Sequence, residues 1–295
     1  MVNGLNLAFQ YLQQFSVLVL AAVGLAIIFG IMGVINLAHG EFIMVGAYAT
    51  VFGYHDLGLP LLASMGLAVV VTAAFGFVVE RLLIKRTYGR LFDSMVVTLG
   101  LSLVLSQGML VLRGTSEPSI PTPFGTITYG AFSQSLYKVA LALVAVGVLA
   151  VVYWLFTQTA YGVRARATIQ NEEMSRALGV TTERVYSQTF AIGSALAGLT
   201  GALLAPLVSV NPTMGGTYLV KSFVVVVVGG PSVVLGTGLS GGLLGAVDAG
   251  VTYFYDQTMG SIVLLVVTVF VIRFFQDGIT GFVERARDRL AAEGA

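Results

Sequence analysis

The 295-residue chain is 57% hydrophobic and only 10% charged, with a formal net charge of +1 at pH 7. Soluble domains carry roughly a quarter charged residues, so this composition indicates an integral membrane protein. The chain has no basic block suited to nucleic acid, and the absence of cysteine excludes disulfides and thiolate metal sites. No basic segment precedes the first apolar run, so we expect the first helix to be retained rather than cleaved as a signal peptide.

Apolar segments long enough to cross a bilayer, which takes about twenty residues, recur along the whole chain. They predict an all-α, polytopic membrane helix bundle of about eight spans, some of them discontinuous and glycine-rich. The predicted apolar segments cover residues 12–31, 41–53, 61–79, 94–112, 136–156, 185–210, 221–251 and 262–275.

The first span runs into a stretch, Phe29 to Tyr48, that mixes apolar residues with four glycines and three polar side chains. Asn36, His39 and Glu41 fall within six residues of one another. Polar side chains at membrane depth usually face a partner or a water-filled path, and glycine allows a helix to break or a neighbouring backbone to approach. We therefore predict an interrupted helix that lines a solute path. The alternative is glycine-mediated packing around one buried polar cluster.

The positive charges are concentrated in three segments. Of fifteen Lys and Arg residues, four lie in 81–90, four in 164–184 and three in 285–289. Short cytoplasmic loops are enriched in these residues, so we place all three segments in the cytoplasm. The proline-rich segment 113–135 then lies outside. Three crossings before the first basic segment would place the N terminus outside as well.

The polar loop 158–184 contains a predicted short helix. Asn171 is suited to cap its N terminus, with two glutamates in the positive first turn, and Gly179 is suited to end it. Arg176 lies within pairing distance of those acids. We predict a docking element for a cytoplasmic partner; the alternative is a surface helix lying on lipid headgroups. The candidate docking residues are Arg164, Arg166, Asn171, Glu172, Glu173, Arg176, Leu178 and Gly179.

A second glycine-rich interruption follows a run of five valines. Gly229-Gly230-Pro231 breaks an apolar segment there, as the stretch 29–48 does early in the chain. Paired interrupted segments in two halves suggest an internal repeat with a binding site or path at its interface. The alternative is that glycine is simply common in membrane helices. The candidate path residues are Gly33, Asn36, His39, Gly40, Glu41, Gly229 and Gly230.

Three stretches resemble the permease subunits of ABC importers for branched-chain amino acids and, closely related, for urea and short amides. They are residues 24–48, which contain Asn36-Leu37-Ala38-His39-Gly40-Glu41; the loop 162–179, which ends in Ala177-Leu178-Gly179; and Lys221-Ser222-Phe223 with the valines and glycines that follow. The matches extend from about residue 12 to residue 282. Amino acid and urea permeases share these motifs, so the solute stays open.

The resemblance implies a transport subunit, not an enzyme, in the bacterial plasma (inner) membrane. It implies one transmembrane permease domain over residues 1–282, with a coupling loop at 158–184 and a charged cytoplasmic tail at 283–295. The implied partners are a second homologous permease, two cytoplasmic ABC ATPases and an extracytoplasmic solute-binding protein, with no nucleic acid. The chain itself would hold no cofactor, because ATP and Mg would bind the partner ATPases.

Motifs of other classes are missing from the sequence. It has no P-loop for ATP and no H-E-x-x-H zinc motif. Two rival functions remain. An ion-coupled secondary transporter would need acids at membrane depth, for which Glu41 and Asp248 are the candidates. A passive small-solute channel would need no helix for docking an ATPase.

Overall fold

The computed structural model describes residues 2–116, 118–129, 132–274 and 278–281, and these residues are mostly helical. The helices are α1 (Val2–Met32), α2 (His39–Val51), α3 (Leu61–Leu82), α4 (Leu91–Arg113), α5 (Tyr137–Gln158), α6 (Ala160–Gln170), α7 (Glu172–Ala177), α8 (Thr182–Leu204), α9 (Met214–Gly229), α10 (Val233–Phe254) and α11 (Gln257–Phe274). Two short antiparallel strands, β1 (Thr126–Tyr129) and β2 (Phe132–Ser135), form a hairpin between α4 and α5.

Seven of the described helices are long and apolar enough to cross a membrane: α1, α3, α4, α5, α8, α10 and α11. Helix α9 is apolar but shorter. The predicted all-α, polytopic bundle of about eight spans with interrupted helices is therefore confirmed. The predicted cytoplasmic tail, 283–295, lies outside the described residues.

Two predicted boundaries were wrong by seven residues or more. Helix α1 begins at Val2 and not near residue 12, because the polar residues before the apolar run continue the same helix. Helix α9 begins at Met214, seven residues before the predicted start, although Gly215 and Gly216 lie in its first turn. Those glycines weaken a helix in isolation, but close packing on a neighbouring helix requires a small residue at Gly215.

The sequence analysis did not predict the β-hairpin in the segment 113–135 or the helix α6, which precedes the predicted α7 in the loop 158–184. Thr159 caps α6, since its hydroxyl accepts a hydrogen bond from the Gly162 backbone nitrogen at 3.1 Å. That capping pattern was present in the sequence.

The chain divides into two compact units. The described residues within 23–122 and 150–220 form the unit that we call the α3–α8 unit, and those within 1–22, 123–149 and 221–295 form the α10–α11 unit. Helices α1, α5 and α9 each contribute residues to both units.

Helices α2, α3 and α8 form the core of the α3–α8 unit and approach one another through glycines. A Cβ added at Gly46 would overlap the backbone of Gly198, and one added at Gly201 would overlap the carbonyl oxygen of Ile43. Phe42 is fully buried between phenylalanine rings of α3 and α8, with centroids 5.3 and 5.9 Å away. Close backbone approach of this kind stabilises membrane helix pairs through van der Waals contact, because lipid provides no hydrophobic drive.

Helix α4 is exposed along most of its length. Its buried residues are Ser94 and Thr98, and Ser102 lies one turn further along the same face. The helix therefore packs on its own unit through a row of hydroxyl groups, and its apolar faces are left for lipid or another subunit.

Ion pairs lie at both ends of the α3–α8 unit. Lys85 Nζ is 2.7 Å from the Glu183 carboxylate at one end, and Arg113 is 3.4 Å from Asp56 at the other. The first pair joins the basic segments 81–90 and 164–184. Both segments therefore lie at the same end of the unit, as the predicted topology requires.

In the α10–α11 unit, the first part of α1 packs on α10, where a Cβ at Gly241 would come 2.5 Å from a Val19 methyl carbon. Near the start of α1, Asn6 accepts a hydrogen bond from the Gln134 amide of β2 at 2.7 Å. The beginning of α1 and the hairpin therefore lie at the same end of this unit, which agrees with the predicted placement of both outside.

Replacing Gly201 by alanine should destabilise the protein, because the new methyl group would meet backbone atoms of α2 that cannot move aside. Overpacking of this kind costs about 1–3 kcal/mol, and the thermal unfolding midpoint in detergent should fall by several degrees.

Gly100→Ala is the matched control, since Gly100 lies within α4 and a Cβ there meets no atom within 4 Å. This variant should leave the midpoint unchanged or raise it, because alanine favours a helix over glycine by about 1 kcal/mol. Equal effects of the two substitutions would contradict the packing role of Gly201.

Candidate functional site

The chain breaks between α1 and α2 within the stretch predicted to be interrupted. Helix α1 ends at Met32, Gly33 takes a left-handed backbone conformation with φ +62°, and the helix resumes at His39. Glycine adopts this φ without strain, whereas other residues do so at a cost. The position of Gly33 therefore ends α1 and turns the chain into the break.

The backbone of the break, residues 33–38, is held by two polar side chains. Asn36 is 1% exposed, and its Oδ1 accepts a hydrogen bond from the Ala38 nitrogen at 3.1 Å. Thr98 of α4 accepts a hydrogen bond from the Leu37 nitrogen at 3.0 Å. Non-helical backbone at membrane depth must find partners inside the protein. Thr98 was not singled out from the sequence, although the row of hydroxyl residues on α4 was a signal for it.

Glu41 lies near the middle of the membrane. The residue is 5% exposed, and its Oε1 accepts a hydrogen bond from Ser102 Oγ at 3.2 Å. Ser102 is the central residue of α4, with eleven residues on either side. At 1.5 Å per residue it lies about 16 Å from each end of the helix. Gly215, in the first turn of α9, packs directly against the Glu41 carboxylate.

His39 and Gly40 lie between closely approaching backbones. His39 is fully buried, and a Cβ at Gly24 would come 3.1 Å from its Cε1 and 2.5 Å from the Gly193 carbonyl oxygen. A Cβ at Gly40 would overlap the carbonyl oxygen of Gly215. The cluster is thus packed in the core in this conformation, as the alternative interpretation of the sequence describes. That its members line a solute path stays a prediction.

Two buried atoms of the cluster have no hydrogen-bond partner among the residues that the structure describes: Asn36 Nδ2 and Glu41 Oε2. A buried polar atom left unpaired costs about 1–3 kcal/mol. Native structures contain few such atoms, and each one suggests stored strain, a bound water or a functional role.

The second predicted break lies in the α10–α11 unit. Helix α9 ends at Gly229, and Gly230 has φ +83°. Gly229 packs backbone against backbone on Gly236, and its carbonyl oxygen accepts a hydrogen bond from Thr280 Oγ1 at 2.7 Å. Each unit therefore contains one glycine-terminated interruption. The internal repeat that this echo suggests stays a prediction.

The short helix predicted in the loop 158–184 is present as α7, and its docking role stays a prediction. Asn171 Oδ1 accepts a hydrogen bond from the Met174 nitrogen at 2.9 Å, and Gly179 has φ +86° just after the helix. The Arg176 guanidinium lies 2.5 Å from the Glu172 carboxylate one turn earlier. Both caps and the ion pair that the sequence predicted are therefore formed.

Helix α7 exposes its apolar side chains. Met174 is 57% exposed and Leu178, which follows the helix, is 78% exposed. A helix on a water-exposed surface normally turns such residues inward, and adjacent exposed apolar groups mark interaction sites. On α6, the preceding helix, Arg164 and Arg166 are also exposed.

A buried acid connects α8 to the end of α3 that carries the basic segment 81–90. Glu80 is fully buried and accepts hydrogen bonds from Ser187 Oγ, at 2.6 Å, and from the Tyr88 hydroxyl. Burial and the neighbouring Glu80 raise the pKa of Tyr88 above its ordinary value, so this phenol remains a proton donor. The Tyr88 ring packs edge-on against Tyr186 at 4.9 Å.

The network continues to α7. Arg176 Nε donates a hydrogen bond to Thr182 Oγ1, at the start of α8, at 2.9 Å, and Glu172 interacts electrostatically with Tyr186 of the same helix. Helix α7 is therefore joined to the start of α8 by a side-chain hydrogen bond. Glu172 and Arg176 were predicted from the sequence as docking residues, but their partners on α8 were not.

The sequence matches, over residues 7–272, the protein family described as the permease component of branched-chain amino acid transport systems. Its relatives include the high-affinity branched-chain amino acid transport permease BraD of Pseudomonas aeruginosa, 29% identical over 299 residues, which cover 95% of this chain and 94% of BraD. LivH of Escherichia coli K12, a permease of the same description, is 27% identical with the same coverage. The autoinducer 2 import permease LsrC of Salmonella paratyphi B is 31% identical over 185 residues, 58% of this chain and 48% of LsrC. No solved structure gave a significant match.

Ser102→Ala should destabilise the protein by about 1–2 kcal/mol, because it removes the hydrogen-bond donor from a buried carboxylate. Ser106→Ala is the matched control, since Ser106 lies one turn further along α4 and its hydroxyl bonds the Leu103 carbonyl of its own helix. It should change the stability by less than about 0.5 kcal/mol. Thermal unfolding in detergent measures both, and equal losses would show that Glu41 does not depend on this hydroxyl.

Proposed function

The chain belongs to the family of permease components of branched-chain amino acid transport systems, and from this we propose that it is the membrane-spanning permease subunit of an ATP-driven importer. It is a multi-pass protein of the bacterial plasma (inner) membrane. The proposed solute is a branched-chain amino acid, as the names of its full-length relatives suggest. Urea and short amides are the alternative solutes.

The observation that carries the ATP-driven mechanism is the exposed apolar surface of α7. A loop between two spans gains little from a helix that is capped at both ends and turns Met174 and Leu178 to water. The exposure of these apolar side chains to water costs free energy, and a groove on a partner protein that covers them would remove this cost. Such binding is the helix-in-groove mode of recognition. We propose that the partner is a cytoplasmic ABC ATPase. Two such ATPases would supply ATP and Mg chemistry, and this chain would supply none.

The remaining partners follow from the same proposal. A second homologous permease would complete the path, and the largely exposed apolar surface of α4 is a face that it could cover. An extracytoplasmic binding protein would deliver solute to the outer segment 113–135. Residues 1–282 would act as one permease domain, with the coupling loop at 158–184.

We propose that each of the two interruptions contributes residues to the path. Glu41, Asn36 and His39 are the polar residues of the first, and Gly229 and Gly230 form the second. ATP-driven movement of the docking helix would open and close the packed arrangement around them. The unpaired atoms of Asn36 and Glu41 support this proposal, because a second conformation or a solute would supply their missing partners.

A specific observation favours one rival, the ion-coupled secondary transporter. Asp248 of α10 is fully buried, and its Oδ2 has no hydrogen-bond partner in the described part of the chain. Buried acids at membrane depth are typical of ion and proton relays. Lys221 of the same unit interacts electrostatically with Asp248. A structural role, in which Asp248 balances the charge of Lys221, is therefore the simpler explanation for this acid.

Leu178→Asp should abolish docking, because it places a charge where an apolar contact is proposed. Recovery of ATPase chains with the tagged permease, and uptake of labelled leucine by cells, should each fall by more than about tenfold, which corresponds to a loss of about 1.4 kcal/mol or more. Membrane insertion should be unchanged.

The matched control is Leu57→Asp, which makes the same chemical change at a leucine that is 52% exposed at the other end of the α3–α8 unit. ATPase recovery should remain at the wild-type level. Uptake that survives Leu178→Asp unchanged would overturn the docking proposal and favour a channel or an ion-coupled carrier.

The driving force separates the proposed function from its rival directly. In proteoliposomes containing the permease and the subunits that co-purify with it, solute uptake should require ATP on the cytoplasmic side and persist when a protonophore collapses the proton gradient. Asp248→Asn should leave this ATP dependence in place. Uptake that stops with the protonophore and with Asp248→Asn, irrespective of ATP, would establish ion coupling instead.

A further inference from the structure

A cavity of about 520 Å³ opens between α3 and α8 at the end of their unit that carries the two basic segments. Three of the residues that line it are cations: Arg81, Lys85 and Arg184. Glu183 neutralises one of them, because its carboxylate lies 2.7 Å from Lys85 Nζ. Arg81 and Arg184 form no ion pair with any residue that the structure describes. The cavity therefore has a net positive charge and is much larger than a single ion needs.

An apolar surface adjoins the cavity on the membrane side. Val70, Ala74 and Phe77 are exposed on one face of α3, and Arg81 continues that face one turn further. The Arg81 guanidinium lies 4.5 Å from the centroid of the Phe77 ring, a cation–π contact that positions the charge at the edge of the apolar surface. Positive charge and apolar surface thus meet along a single helix face.

We propose that this cavity binds the headgroup of an anionic phospholipid from the cytoplasmic leaflet. Arg81 and Arg184 contact the phosphate, Gln188 and Thr181 offer uncharged hydrogen-bonding groups to glycerol and ester oxygens, and an acyl chain lies along the Val70–Phe77 face. Basic pockets between helices on the cytoplasmic side suit such headgroups, and the anionic leaflet attracts them further.

The apolar face distinguishes a lipid from other anions. Free phosphate would use the two arginines but would leave Val70 and Phe77 without a role. An acidic segment of a cytoplasmic protein would reach the charged opening, but not the surface of α3 that continues toward the middle of the membrane. A phospholipid matches both parts of the site, and its phosphate lies at the depth where the two parts meet.

The test uses the full-length chain together with any subunits that co-purify with it. Its thermal midpoint is measured after exchange into nanodiscs of phosphatidylcholine alone or with phosphatidylglycerol, and bound lipid is counted by native mass spectrometry. The difference between the two lipid compositions is compared within each variant, so that a general loss of stability cancels. Wild-type protein should retain phosphatidylglycerol selectively, and its thermal midpoint should be several degrees higher in the nanodiscs that contain this lipid.

The double variant Arg81→Gln with Arg184→Gln should lose this selectivity. Each basic residue near an anionic surface contributes about 1 kcal/mol, so retention of phosphatidylglycerol should weaken by about thirtyfold. Arg81→Lys should keep most of the selectivity for phosphatidylglycerol, because the positive charge is conserved. The matched control is Arg86→Gln with Arg90→Gln, which removes two charges from the same segment outside the cavity and should retain selectivity.

Equal losses in the cavity variant and the control would mean that net charge alone attracts lipid, and would overturn the site. Displacement of phosphatidylglycerol by millimolar inorganic phosphate would reassign it to free phosphate. Loss of a co-purifying protein, with lipid selectivity intact, would reassign the arginines to a protein contact.

Discussion

The structure depends on one constraint: every backbone polar group at membrane depth must find a partner inside the protein. The break between α1 and α2 frees several such groups in the interior of the α3–α8 unit. Asn36 and Thr98 satisfy those at Ala38 and Leu37. The close packing of α2 on α8 is a consequence, because a break is tolerated only where neighbouring helices exclude lipid. Glycines at the crossing points make that packing close enough.

The polar cluster around Asn36 and Glu41 does not form all of its hydrogen bonds. Asn36 Nδ2 and Glu41 Oε2 remain unpaired among the described residues, and each unpaired atom costs about 1–3 kcal/mol. A transporter needs two conformations that differ by only a few kcal/mol. The unpaired atoms raise the free energy of this packed conformation. The difference in free energy from a second conformation that pairs these atoms is therefore smaller. Incomplete satisfaction at the middle of the membrane is therefore consistent with a permease, whereas a purely structural cluster would gain from completing its hydrogen bonds.

Local features could be predicted from the sequence, and distant partners could not. The break after Gly33, the cap formed by Asn171 and the interruption at Gly230 each depend on residues within a few positions, whose chemistry is visible in order along the chain. Ser102 and Gly215 became important only because folding brings α4 and α9 against Glu41. The early start of α9 has the same origin, since Gly215 weakens a helix locally but leaves room for the Glu41 carboxylate that packs against it. Helix α6 is different, because its capping residue, Thr159, is adjacent to it in the sequence. This local signal could have predicted the helix.

Helix α8 connects the two candidate regions. Its first residue, Thr182, is bonded to Arg176 of the docking helix, and Ser187 on its first turns holds the buried Glu80 of α3. Further along the same helix, Gly193 and Gly201 lie against the backbones on either side of the break. Packed helices move as rigid bodies, because their interfaces do not deform continuously. A displacement of α7 that moves α8 must therefore also change the contacts around the break, where the backbone of Gly201 lies directly against that of Ile43 and the carbonyl oxygen of Gly193 lies against Gly24.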